Sequence, residues 1–319
     1  HPLLSLRVFG LIQSVLQAQD LPVGLVSMVQ GAGVEVGVAL VRHPLIAAGA
    51  FTGSTRGGAA LQAEANARPR PIPFYGELGS INPVVALPAA LQAKGAELAT
   101  MLAGSIVQGC GQFCTNPGLI VLIDGAEADA FVAQLATALA VQTPHAMLTS
   151  GMRRAFDAGV ARFVEHGAQA LVQQPGSAQA PGPQLLQVSG AQFLKESALH
   201  DEVFGPSSLV VRAASQAEVL AVLAAVGGSL TVTLWGAETE SDDTRALVRS
   251  AMAIAGRVLF AGVPTGVAVT AAQQHGGPWP SSTTPMTTSV GDAALARFLR
   301  PVSLQDAPAW LLARSGRPC

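Results

Sequence analysis

Apolar and polar positions follow two alternating periods along this chain. Residues 6–19 carry apolar side chains at helical spacing, 24–29 read as a strand, 34–42 as a helix and 45–51 as a strand. Residues 54–67 read as a helix opened by a Ser/Thr pair suited to capping. After the opening helix this is a βαβα run, which predicts an α/β chain with parallel strands. Beyond it, 72–78 and 119–123 predict strands, and 91–108, 126–141, 152–166, 215–226 and 239–255 predict helices. Ser215 with Glu218, and Asp124 with Glu127, have the spacing of capping boxes. The proline-rich stretch 173–183 reads as a loop, and no internal repeat is visible.

At 319 residues the chain is long enough for about two domains with a large core. Half the residues are hydrophobic, 12% are charged, the formal net charge is −2 and the mean hydropathy is +0.42, which excludes a disordered chain. A near-neutral balance without a Lys/Arg run argues against a nucleic-acid binder. Three windows, 98–123, 219–237 and 258–291, lack Asp, Glu, Lys and Arg, yet each is interrupted by Gly, Pro, Asn or Thr and reads as buried helix-to-strand chain, so no membrane partner is expected. Cys110, Cys114 and Cys319 cannot form a disulfide framework, and a reducing compartment, the cytoplasm, is the expected location. No secretory signal opens the chain; beginning on His1, it reads as processed or as a fragment.

Candidate chemistry lies at four turns. Gly31, Gly33 and Gly37 resemble a dinucleotide fingerprint whose spacing is one residue too long. The turn FTGSTRGG (51–58) joins a predicted strand to a helix N-terminus, where free N–H groups can hold a phosphate, and local pattern leaves an ordinary βα turn equally open. Cys114 lies in GCGQFCTNPG (109–118), where glycines and Asn-Pro describe an irregular backbone able to present a thiol nucleophile; Cys110 is the packing residue. Glu77, framed by Gly76 and Gly79, is a candidate general base with a raised pKa.

The strings FTGST (51–55), GELGS (76–80), GQFCTN (111–116) and EVFGP (202–206), in this order, resemble the successive signatures of the NAD(P)-dependent aldehyde dehydrogenase superfamily. Within it, FYGELGSINPVVALPAAL (74–91), GRVLFAGVPTGV (256–267) and QHGGPWPSSTT (274–284) look most like 2-oxoglutarate semialdehyde (2,5-dioxopentanoate) dehydrogenases. The resemblance implies Cys114 as the nucleophile that forms a thiohemiacetal and then a thioester, with Glu77 as the base for its hydrolysis. It implies cofactor contacts to NAD or NADP from Gly53, Ser54, Leu78, Glu202 and Phe204, and no metal. It further implies a small-molecule aldehyde as substrate and a homo-oligomer.

The resemblance also divides the chain. Residues 1–76 would be the latter part of a doubly wound cofactor domain, 77–280 an α/β catalytic domain facing it across a crevice, and 281–319 a segment with a strand near 298–303 that makes oligomer contacts. Family members carry a further stretch before the point matching His1, with the first cofactor-domain strands, an oxyanion-hole Asn and a ribose-binding Lys. Ala261 stands where relatives commonly have Asn. Two other readings remain open: a truncated, non-catalytic chain, and a cysteine hydrolase using Cys114 with His275 or His43 as base.

Overall fold

The computed structural model describes residues 2–31 and 34–312, so His1, Gly33 and Cys319 lie outside the described residues. The chain begins with helices α1 (Pro2–Ala18) and α2 (Glu35–Arg42). It then forms a two-stranded parallel sheet of β1 (Gly49–Thr52) and β2 (Phe74–Glu77), connected by α3 (Thr55–Asn66). Val41, Ala65 and Phe74 form the small core under this sheet, with Phe51 and Leu61 packed against it. Ser54 caps α3 by accepting from the Gly57 N–H, as the Ser/Thr pair predicts.

The remainder is a seven-stranded sheet: β3 (Val84–Ala86), β4 (Leu119–Ile123), β5 (Gln169–Gln173), β6 (Gln184–Ser189), β7 (Ser207–Ala213), β8 (Ser229–Trp235) and β9 (Ala255–Leu259), in the order β5-β6-β7-β4-β3-β8-β9. Every neighbouring pair is parallel except β5 with β6. Helices α4 (Pro88–Val107), α5 (Ala126–Ala140), α6 (Ser150–Glu165), α7 (Gly190–Lys195), α8 (Gln216–Val226) and α9 (Asp242–Ile254) supply the crossovers and cover the sheet; α10 (Ala309–Leu312) follows.

Covering both faces requires strands that are apolar on both sides, and side-chain alternation then feeds two cores. Val84, Ala86, Ile120, Leu122 and Val210 point to the face packed by Leu102, Ile106 and Phe131 of α4 and α5. Val85, Leu119, Val121, Leu209 and Val211 point to the opposite face, against Val219 and Leu223 of α8 and Leu247 of α9. At about 1.5–3 kcal/mol per fully buried side chain, these two layers dominate the folding drive. The windows 98–123 and 219–237 are therefore largely core, whereas 258–291 is irregular chain with Val269, Trp279 and Met286 exposed, not the buried helix-to-strand unit expected; no helix among the described residues is long and apolar enough to cross a membrane.

Several local expectations are corrected. Residues 24–29 form no strand; Val23–Leu25 is a 3₁₀ turn, and the short β1–β2 sheet leaves no paired edge for that stretch among the described residues. Gly31 and Gly37 consequently lack the preceding strand that a dinucleotide fingerprint requires. Asp124 does not cap α5: Gly125 is the N-cap, and the Asp124 carboxylate accepts from Arg212 Nε at 2.7 Å instead. Ser215 does cap α8, but the Glu218 carboxylate reaches the Ala214 N–H, one residue before the expected position. Residues 299–303 form no strand, and the 3₁₀ segment Asp292–Phe298 precedes them.

Candidate active site

The nucleophile is placed by the end of α4. Gly109, Cys110 and Gly111 take φ values of 57°, 59° and 64°, three left-handed residues that reverse the chain after the helix. At Gly111 a Cβ would lie 2.1 Å from the Gly205 carbonyl oxygen, so only glycine fits. Cys110 is buried, and its Sγ donates to the His145 carbonyl at 3.1 Å, which makes it a packing residue. Cys114 follows on the loop that leads into β4 and is partly exposed.

Asn82 ties this loop to the sheet. It is fully buried with φ 47°. Its Nδ2 donates to the carbonyl oxygens of Cys114 and Asn116, both at 2.9 Å, and to that of Ser80 at 3.2 Å. Its Oδ1 accepts from the Ser80 hydroxyl at 2.8 Å and from Thr231 at 3.1 Å.

Glu77 arrives from the other sheet, at the C-terminal end of β2, where its carbonyl accepts from the Gly53 N–H at 3.1 Å. An antiparallel bridge to Ser282 brings the segment after β9 alongside. That segment contributes His275, 1% exposed, whose Nε2 lies 3.1 Å from Glu77 Oε1 and 3.5 Å from Cys114 Sγ. The Ser289 hydroxyl donates to Glu77 Oε2. The Glu77 carboxylate, Cys114 sulfur and His275 imidazole all lie within 4.8 Å of one another.

Electrostatics decide where the protons rest. Burial pushes the Glu77 carboxyl up, but the hydrogen bonds from His275 and Ser289 outweigh it, and the net shift is below the ordinary carboxylate value, opposite to the raised value expected. Burial and the adjacent Glu77 charge push the Cys114 thiol up to about 12, against the backbone N–H groups of Cys114 and Thr115, which favour the thiolate. At rest the sulfur is a protonated thiol beside an ionised carboxylate. Because a carboxylate only accepts, His275 carries its proton on Nε2 and presents it to Glu77; Nδ1 has no partner.

The residues proposed for the cofactor gather beside this pair. Gly53 and Ser54 form the turn from β1 into α3, with the Ser54 hydroxyl engaged as the helix cap. The Leu78 N–H donates to the Ser281 carbonyl at 2.8 Å, and its side chain is buried. A Cβ on Gly79 would lie 2.7 Å from Glu202 Oε2 and 2.9 Å from Thr55 Oγ1, so the absent side chain leaves a narrow gap between that carboxylate and the start of α3. Burial pushes Glu202 up to about 7, with the Ser80 N–H as its compensating donor. A partly buried carboxylate beside a gap suits paired hydroxyl donors, and the residues present thus fit a dinucleotide ribose. Phe204 is partly buried in the same EVFGP turn.

Three contributors were not singled out by local pattern. Asn82 and Ser289 are two of them. The third, Arg257 on β9, has Nη1 and Nη2 bonded to the carbonyls of Gly266 (3.1 Å) and Pro264 (2.7 Å) and a buried, unpartnered Nε. Burial lowers its pKa, and it lies near enough to Cys114 for the two charges to couple. His43, the other imidazole considered as a base, is exposed and accepts from the Leu45 N–H at 3.3 Å.

A chain with this sheet order, a thiol at the head of β4 and a carboxylate brought across from a second parallel sheet has the architecture of one enzyme class. It matches the aldehyde dehydrogenase family over residues 1–300, and it belongs to that family. It is 44% identical over 308 residues to alpha-ketoglutaric semialdehyde dehydrogenase 2 of Azospirillum brasilense. It is 39% identical over 305 residues to alpha-ketoglutaric semialdehyde dehydrogenase of Acinetobacter baylyi. Each alignment takes in 94% of this chain and 58% of the relative, so the chain spans a little over half the length of these curated relatives. Among solved structures, an NAD-dependent aldehyde dehydrogenase from Sinorhizobium meliloti superposes with a TM-score of 0.73 at 21% identity, covering 90% of this chain and 56% of that one, a likeness of fold.

Proposed function

We propose that the protein oxidises an aldehyde to its carboxylate, using Cys114 as nucleophile and Glu77 as base. The observation that carries this reading is the approach of the Cys114 sulfur and the Glu77 carboxylate, brought from separate elements to within 4.8 Å inside the protein. As Sγ bonds to the aldehyde carbon, the thiol proton passes to Glu77 and a thiohemiacetal forms on Cys114, with the N–H groups of Cys114 and Thr115 on the side where negative charge develops. Gly53, Ser54, Leu78, Glu202 and Phe204 would hold NAD or NADP, which would supply the hydride acceptor. Loss of hydride would leave a thioester on Cys114; Glu77 gives up the thiol proton to solvent, then takes a proton from water, whose oxygen adds to the thioester, and returns that proton to sulfur as the acid departs and the thiol is restored.

2-Oxoglutarate semialdehyde is the substrate that best fits. Two relatives carry that substrate in their names. Arg257 supports the choice, because a half-buried cation that couples to Cys114, with no carboxylate partner among the described residues, favours a substrate with a distal anion. The hydrolase reading draws on the His275–Cys114 approach, but a Cys–His pair needs a free ring nitrogen facing sulfur, and the one that faces Sγ already serves Glu77.

The test is absorbance of reduced cofactor with 2-oxoglutarate semialdehyde and with a neutral aldehyde of similar length, alongside ester hydrolysis without cofactor. Cofactor reduction, faster with the anionic aldehyde, is expected. Ester cleavage with no cofactor reduction by any aldehyde would assign the protein to the hydrolases.

A further inference from the structure

The site places an anion next to a thiol in the protein interior, and burial alone favours the protonated acid at Glu77. His275 is built to oppose this. It is 1% exposed, its backbone N–H donates to Thr288 Oγ1 at 2.9 Å, and its carbonyl accepts from the Ser289 backbone N–H at 2.8 Å. The imidazole therefore has a fixed placement, with Nε2 3.1 Å from Glu77 Oε1 and 3.5 Å from Cys114 Sγ. Its other nitrogen, Nδ1, is buried without a partner. Nε2–H thus has one direction in which to be offered, toward Oε1. The other titratable groups facing this pair are Cys114 on its loop and Arg257 on β9, which couples to Cys114.

We propose that His275 is the positioning residue for Glu77: its Nε2–H pins Oε1 so that the carboxylate stays ionised and aimed at Cys114, and His275 does not itself accept the proton. This rests on the reading of Glu77 as the base of the site. The Ser289 hydroxyl holds the second carboxylate oxygen, and the two donors leave Glu77 one orientation. The proton that leaves Cys114 has Glu77 as its acceptor throughout.

Two substitutions at His275 separate donation from proton uptake. His275→Gln can place an amide N–H near the position of Nε2–H but cannot titrate; His275→Leu keeps comparable bulk and removes the donor. Infrared difference titration of the Glu77 carboxyl, assigned by its loss in Glu77→Gln, gives its protonation midpoint independently of turnover. His275→Leu should raise that midpoint by about one pH unit or more and lower kcat on the order of 100-fold, with KM within about threefold. His275→Gln should keep the midpoint near wild type and lose about fivefold in kcat. If His275→Gln is as slow as His275→Leu with the midpoint unmoved, His275 is a proton-transfer group and the proposal is wrong. It is equally wrong if His275→Leu moves neither quantity. Should the wild type oxidise no aldehyde, the infrared midpoints still decide the role of His275, separately from the reaction assigned to the site. Should His275→Leu fail to fold, the midpoint in Ser289→Ala replaces it: a rise supports the two-donor clamp, and an unmoved midpoint overturns it.

Discussion

Asn82 donates to the carbonyl oxygen of Cys114 at 2.9 Å from 32 residues earlier in the chain. The same side chain holds the Asn116 carbonyl and accepts from Thr231 on β8, so the nucleophile loop is fastened to the head of the sheet through one buried amide. Asn82→Ala leaves those carbonyls and hydroxyls without a partner, and should cost on the order of 3 kcal/mol in chemical unfolding. Asn82→Asp keeps the shape but sets a carboxylate against carbonyl oxygens, and should be at least as destabilising at neutral pH. A midpoint for Asn82→Asp equal to wild type would show that the donor side of this residue is not what anchors the loop.

The two thiols among the described residues differ in what surrounds them. Cys110 is sealed in a small core with Met147 and Phe156 and donates to a backbone carbonyl, whereas Cys114 is partly exposed beside a carboxylate. Intact-mass and peptide analysis after limiting iodoacetamide should therefore find Cys114 alkylated ahead of Cys110. Cys114→Ala should abolish aldehyde oxidation and ester hydrolysis, while Cys110→Ala should act through lost packing. Alkylation of Cys110 with Cys114 untouched would contradict this.

Much of the fold was legible locally, for identifiable reasons. The apolar run of β4 is bounded by Pro117-Gly118 and Asp124-Gly125, and the observed strand, Leu119–Ile123, has the predicted limits. Residues 24–29 carry an equally strand-like pattern without becoming a strand, because pairing is a tertiary property that local pattern does not encode. The site divides the same way. Cys114 and Glu77 stand in turns whose glycines mark irregular backbone, and those were visible. The bonds from His275 and Ser289 to Glu77 span 198 and 212 residues, so no local spacing could reveal them. They are also what reverses the expected direction of the Glu77 shift. Asn82 left a fainter signal, an Asn-Pro step just after GELGS.

Glu77→Gln preserves the shape of the base and removes its capacity to accept a proton. Thioester hydrolysis should slow by 100-fold or more, within the usual ~10²–10⁴ range for a general base. Acylation should slow as well, because Glu77 also takes the Cys114 proton, so no burst of reduced cofactor is expected in rapid mixing. Steady-state turnover equal to wild type would remove Glu77 from the deacylation step.

Glu202 makes both stability and cofactor binding depend on pH, in opposite senses. Burial raises its folded pKa to about 7, above its value in the unfolded chain. Between about pH 4.5 and 7 the folded state therefore holds a proton that the unfolded state has released, and unfolding free energy falls as pH rises through this window. The carboxylate is partly open to solvent across the Gly79 gap, so screening limits the loss to on the order of 2 kcal/mol. Glu202→Gln lacks this contribution, and its advantage over wild type in denaturant midpoint should grow from pH 5 to pH 8. Ribose hydroxyls donating to Glu202 favour its ionised form, so dinucleotide affinity should instead rise as pH passes through about 7, with proton release on binding below that pH. Calorimetric titration with NAD and with NADP, in two buffers of different ionisation enthalpy, measures both quantities. Affinity independent of pH in wild type and unchanged in Glu202→Gln would place the ribose elsewhere and leave Glu202 with only its effect on folding.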